Sequence, residues 1–251
     1  MSEHVTIERA DAVQVIRMNR ADKKNAITRD MYAAMAAALK AGDADPSVRC
    51  HVILGVPGAF SAGNDLADFM VVATGGDGGT EVIDFLVALA TAAKPLVAGV
   101  DGIAVGVGTT IQFHCDVSYA TPRTQFRTPF VDLGIVPEAG SSLLGPALLG
   151  RQGAFALLAL GEPLTADEAV AAGLIRAVVS EEELEARTMA TAESIAAKPA
   201  EALRLARDLM LGDRKALVDR VVEEAKIFRE RLKSDETRQA LMAFMTRKKG
   251  A

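Results

Sequence analysis

Polar and apolar residues alternate at the start of the chain. Residues 4–9 (HVTIER) and 12–18 (AVQVIRM) repeat with the period of two expected of half-buried strands, and Ala10-Asp11 between them suits a hairpin turn. The period then lengthens. RDMYAAMAAALKAG reads as a helix capped by Thr28 and ended at Gly42. CHVILGV (50–56) and KPLVAGV (94–100) are apolar without alternation, which predicts strands covered on both faces. Between them, PGAFSAGNDLADFM is glycine-rich and then helical from about Asn64. Glycine-dense VATGGDGGT (72–80) predicts a mobile loop, and 81–93 predicts a helix. The glycines of DGIAVGVGTTIQFHCD open a further helix, and DVSYAT and TQFRT are short and strand-like. Beyond Ser141 the pattern is mostly helical. TADEAVAAG (165–173) starts with a capping box, Glu168 standing three residues after Thr165. Residues 174–179 predict a short strand, and 180–197, 199–211, 215–232 and 236–248 predict successive helices. Strand–helix alternation followed by a helical C-terminal third argues an α/β core.

Composition narrows the picture. The 251 residues lie within reach of one large domain, and a 50% hydrophobic content without Trp is that of a core-forming chain. A net charge of -5 argues against a general nucleic-acid binder. Arg247, Lys248 and Lys249 cluster near the end and read first as a solvated tail. Cys50 and Cys115 lack paired spacing, which predicts reduced core thiols. No apolar run approaches the roughly 18 residues that span a bilayer. Charges every few residues at the N-terminus exclude a signal peptide there, so a cytoplasmic protein with no membrane partner is expected. His4, His51 and His114 show no metal-ligand spacing, and neither a metal nor a cofactor is expected.

Three segments can carry chemistry. In AFSAGNDL (59–66), small residues precede a helix start, where free amides and a positive helix end can hold an oxyanion. The same residues also suit an ordinary glycine turn capped by Asn64. In KPLVAGVDGIAVGVG, glycines 102, 106 and 108 miss the dinucleotide spacing but imply close backbone approach, with an amide near Val107 free at the helix start. In LGIVPEAGSSLLG (133–145), Glu138 is either a turn carboxylate placed at a helix N-terminus or a base in a dry pocket.

These pieces, with NRADKKNAIT (19–28), CDVSYAT (115–121), TPFVDLGIVPEAGSSLL and EALRLARDLM, occur in an order that resembles the crotonase superfamily, the enoyl-CoA hydratase/isomerase family, over nearly the whole chain. The resemblance implies an α/β fold: a spiral of β-β-α turns over residues 1–195, and a helical trimerisation region over 196–251. It implies a homotrimer or dimer of trimers acting on acyl-CoA thioesters. It places the two oxyanion amides at Ala62 and Val107. Lys24, Ala26, Ala59, Asp65, Leu66 and Phe130 would lie along the substrate, and Arg247 and Lys248 would meet the CoA phosphates.

Hydratases of the family resemble one another in activating water with two glutamates. Here those positions are Thr110 and Phe130. Glu138, in PEAGSSLL, resembles the single glutamate of peroxisomal-type Δ3,Δ2-enoyl-CoA isomerases. A pocket lined by Phe130, Leu133 and Val136 is expected to raise its pKa. Isomerisation needs only one base to move a proton from C2 to C4. The alternatives are a hydratase or other crotonase-type lyase, and a non-catalytic acyl-CoA-binding protein. Asp132 is expected at the rim, Asp65 as a helix cap, and Asp68 and Asp116 as structural.

Overall fold

The structure, a computed structural model, describes residues 2–249, without the side chains of residues 244, 245 and 247–249. Strands β1 (Val5–Ala10) and β2 (Val13–Met18) form the expected antiparallel hairpin. Helix α1 (Arg29–Ala44) follows, its first turn capped by the Thr28 hydroxyl accepting from the Met31 N–H. Two strands, β3 (Cys50–Leu54) and β4 (Ala59–Ser61), then run into helices α2 (Leu66–Ala73) and α3 (Glu81–Thr91). The same order recurs with β5 (Leu96–Val100), β6 (Ile103–Val105) and the single turn α4 (Val107–Thr110), and again with β7 (Val117–Ala120), β8 (Gln125–Arg127) and α5 (Ser141–Leu158).

Each turn of this spiral gives one strand to each of two sheets. The large sheet runs β1-β2-β3-β5-β7-β10, parallel from β2 onward, and the small one runs β4-β6-β8-β9. Short strands β9 (Leu164–Thr165) and β10 (Ala177–Val178) flank α6 (Ala166–Ala171), which has the capping box read from the sequence. Helices α7 (Leu184–Ala196), α8 (Ala200–Leu211), α9 (Arg214–Leu232) and α10 (Asp235–Lys249) complete the chain.

The burial of β3 and β5 explains their unbroken apolar runs. One face packs on α1 and α3 through Ile53, Leu96, Met35 and Leu89, and the other meets α7 through Val52, Val97 and Ala192. Both cysteines are free, Cys50 buried and Cys115 half-buried, and burial pushes their thiols up to about 12. Gly102 marks where one sheet hands the chain to the other. Its φ is +71°, and a Cβ there would lie 2.0 Å from the Gly58 carbonyl oxygen.

Two expectations shift. The helix expected from Asn64 begins at Leu66, because Asp65 supplies the cap by accepting from the Ala67 N–H. The segment after Gly108 is one α turn followed by 3-10 backbone over Ile111–His114, so the glycines open a much shorter helix than their pattern suggests.

Candidate active site

Glu138 stands in the turn that launches α5. The next two residues, Ala139 and Gly140, both have left-handed backbone, with φ of 62° and 70°. For alanine that conformation costs on the order of 1 kcal/mol, so the surroundings must hold it. Two side chains do. The His114 ring donates from Nε2 to the Ala139 carbonyl at 2.7 Å, and burial lowers its pKa to about 4, which keeps the ring neutral. Glu224, on α9, accepts from the Gly140 N–H at 2.6 Å and the Ser142 N–H at 3.0 Å. Gly140 has no side chain to cap α5, and a carboxylate 84 residues away takes that place.

The Glu138 carboxyl is thereby fixed in a dry place. Its residue is 4% exposed; Oε1 accepts from the Thr110 hydroxyl at 2.5 Å, and Oε2 has no partner among the described residues. Burial drives its pKa up to about 8, opposed by the Thr110 bond and reinforced by the charge of Glu224. The carboxyl faces a cavity of about 100 Å³ whose apolar walls include Phe69 and Val72 of α2, Leu86 of α3, and Phe228 and Leu232 of α9. Tyr32 also borders it, donating to Asn64 Oδ1 at 2.7 Å, and burial followed by the charge of Glu138 pushes the phenol's pKa upward.

The walls correct one expectation. Phe130, Leu133 and Val136 are not among the lining residues. Phe130 packs behind them, with Ile135, Leu157 and Leu158, in the same apolar cluster as the cavity walls Val72 and Leu232, and Val136 faces a separate depression beside Arg220. The cavity walls that Glu138 meets come from helices distant in sequence.

The backbone donors correct another. The Ala62 N–H is spent on the Lys24 carbonyl at 2.8 Å, and the Gly63 N–H on the Ser61 hydroxyl at 3.0 Å. An amide has one hydrogen, so Ala62 cannot also hold a substrate oxygen. Asp65 donates to Ile27. That leaves the Asn64 N–H, which has no acceptor among the described residues; the same holds for Val107 at the start of α4. Gly108 packs on the Ser61 carbonyl, which brings the two segments side by side.

The other expected residues divide. Lys24 is exposed and contributes its carbonyl to Ala62; the Ala26 carbonyl accepts from Arg20. Ala59 is buried in β4. Asp65 caps α2 and pairs with Arg20 at 2.6 Å, which holds its pKa below the usual range. Leu66 borders a shallow surface depression outside the cavity. Asp132 is exposed away from the cavity, whereas Asp68 borders it while accepting from the Arg29 N–H. The side chains of Arg247 and Lys248 lie outside the described residues. Sequence reading missed Glu224, His114 and Tyr32 as parts of the site. Helix–sheet patterning carries no signal for them, since each meets the turn only after the chain has folded back. Among the described residues, no group of three His, Cys, Asp or Glu side chains could hold a metal ion, and no helix is long and apolar enough to cross a membrane.

Comparisons with known proteins agree with this architecture. The sequence profile of the family described as enoyl-CoA hydratase/isomerase matches residues 8–251. The chain is 35% identical to enoyl-CoA delta isomerase 2 of Rattus norvegicus over 98% of its own length, and it spans 64% of that relative. It is 33% identical to the peroxisomal enoyl-CoA delta isomerase 3 of Mus musculus, covering 98% of this chain and 80% of that one. The solved structure of Pseudomonas aeruginosa OdaA superposes with a TM-score of 0.92 at 37% identity, over 97% of this chain and 99% of the other.

Proposed function

The chain belongs to the enoyl-CoA hydratase/isomerase family, and from that premise we propose that it is a Δ3,Δ2-enoyl-CoA isomerase working with one base. The observation that carries the reading is Glu138: a buried carboxyl with one oxygen held by Thr110 and the other unpartnered against an apolar cavity. In its ionised form, Oε2 takes a proton from C2 of a 3-enoyl thioester. The Asn64 and Val107 amides hold the thioester oxygen as the dienolate forms, each donor being worth roughly 3–4 kcal/mol in a water-poor site. The protonated carboxyl then returns the proton to C4. One group on one face serves both carbons, and the conjugated product is the more stable alkene. The raised pKa makes Glu138 a stronger base than a free carboxylate, at the cost that less of it is ionised at neutral pH in the free protein.

Water addition finds less support. Thr110 stands at one hydratase-type acid position and is committed to Glu138, and Phe130 at the other is buried among apolar neighbours. The same proposal includes a cytoplasmic enzyme that assembles through residues 196–251 as a trimer or dimer of trimers. Exposed Leu205, Leu209 and Met210 on α8 support a subunit interface there. Lys24, Arg247 and Lys248 are proposed at the CoA phosphates.

The test is direct. Purified protein is incubated with 3-enoyl-CoA and, separately, with 2-enoyl-CoA. Conversion of the first to the conjugated thioester supports the reading; hydration of the second without isomerisation sinks it. Binding without either reaction would mark a non-catalytic acyl-CoA-binding protein.

A further inference from the structure

The cavity that Glu138 borders is bordered also by charged and glycine residues, Arg29, Gly78, Gly79 and Arg229, together with the apolar walls. Three elements meet there. Arg29, the first residue of α1, makes a two-pronged bond to Glu81, the first residue of α3, at 2.8 and 3.0 Å, and reaches the Asp77 carbonyl at 3.3 Å. Arg229 of α9 donates to the Gly79 carbonyl at 2.8 Å. Gly79 is moulded against the pair: its φ is +63°, and a Cβ would lie 2.0 Å from Glu81 Oε2 and 2.1 Å from Arg29 Nη2. Ordinary helix contacts do not need this arrangement, since α1 and α3 already pack through Tyr32, Phe85 and Leu39.

We propose that Arg29, Glu81, Gly79 and Arg229 form a clasp across the distal end of the acyl cavity, so that the clasped protein selects short acyl chains and longer ones must open it. The assignment rests on the reading of that cavity as the acyl site. Size supports it. An apolar cavity of about 150 Å³ holds one benzene ring, so 100 Å³ leaves room for only a few carbons beyond the reacting ones. A longer chain would run into guanidinium groups and a hydrogen-bonded loop. It would have to strip those bonds or leave its own tail against charge, and either lowers its affinity.

Two measurements on the full chain test this, each comparing a six-carbon with a twelve-carbon thioester. One is kcat/KM for isomerisation of the 3-enoyl-CoA pair. The other is the equilibrium Kd of the saturated acyl-CoA pair, which needs no turnover. The wild-type protein is expected to favour the shorter chain. Arg229→Ala, an exposed side chain that loses one hydrogen bond, should shift the ratio about fivefold toward the longer chain. Glu81→Gln and Gly79→Ala, which break the clasp by charge and by bulk, should shift it the same way. Unchanged ratios in all three variants, or a wild-type preference for twelve carbons, overturn the clasp and leave the isomerase reading standing if hexenoyl-CoA is converted. Shifted Kd ratios with no conversion of either thioester keep the clasp and reject the isomerase.

Discussion

Arg207 and Glu138 are equally withdrawn from water, each 4% exposed. Their surroundings differ. The Arg207 guanidinium donates to Asp116 at 2.8 and 3.0 Å and to the Ala92 carbonyl at 2.6 Å, and Asp116 also accepts from the Leu96 N–H. Charge meets opposite charge, and α8 is tied to the end of the sheet. At Glu138 one oxygen is bonded, the other is not, and the nearest charge that matters is the like charge of Glu224. The Asn64 N–H, on the same cavity, and the Val107 N–H also have no acceptor among the described residues. A folded chain tolerates such deficits where a ligand can supply the missing partner, since a buried unmet group otherwise costs about 1–3 kcal/mol. One region is built to stay closed; the other is built incomplete.

The contrast can be broken most strongly at its two charged ends. Glu138→Gln should lower turnover about 10³-fold with little change in acyl-CoA affinity, by steady-state kinetics and equilibrium binding. The same substitution should stabilise the fold. A carboxyl raised from 4.5 to about 8 costs nothing below its ordinary pKa, and folding stability is lost as pH climbs from there through 8. The gain in Tm of Glu138→Gln should therefore be large at pH 8 and small at pH 5. Arg207→Ala should do the reverse. It strands Asp116 and should cost about 3–5 kcal/mol, or about 10 °C in Tm, with the pH dependence of catalysis unmoved.

Two smaller effects sharpen the comparison. Val107→Pro deletes an amide hydrogen at the first residue of a helix, where proline is tolerated. The expected loss is about 10²-fold in kcat with an unchanged circular dichroism spectrum. Thr110→Val removes the hydrogen bond that favours the charged carboxylate. The rise of kcat/KM with pH, expected near 8, should move up by about one unit. A shift downward would mean that Thr110 does not hold the base.

Much of this molecule is legible in one dimension. The hairpin of residues 5–18, the doubly covered strands at Cys50 and Leu96 and the capping box at Thr165 follow from periods and caps. They were readable because the interactions that form them lie within a few residues or follow from burial on both faces. Glu138 was singled out through the ordered family segments. Which backbone N–H of the 59–66 stretch is left without an acceptor was not legible. Ala62 and Asn64 are two residues apart in a small-residue stretch, and only the long-range bond to Lys24 distinguishes a spent N–H from a free one. The pocket walls were misplaced for a similar reason. Phe130 and Val136 are close to Glu138 along the chain, whereas Phe69 and Phe228, which meet edge to face at the cavity, are distant from it.

The sequence by itself determined most strands and helices, the Thr28 and Thr165 caps and the presence of one carboxylate in a turn of small residues, because these depend on short-range sterics and on the period of apolar side chains. Tertiary structure alone decided that this carboxylate is dry and half-bonded, that Glu224 and His114 brace its strained turn, and that the Asn64 N–H on the same cavity has no acceptor among the described residues. Desolvation and hydrogen-bond satisfaction depend on which distant groups come to surround an atom, and no local pattern encodes that.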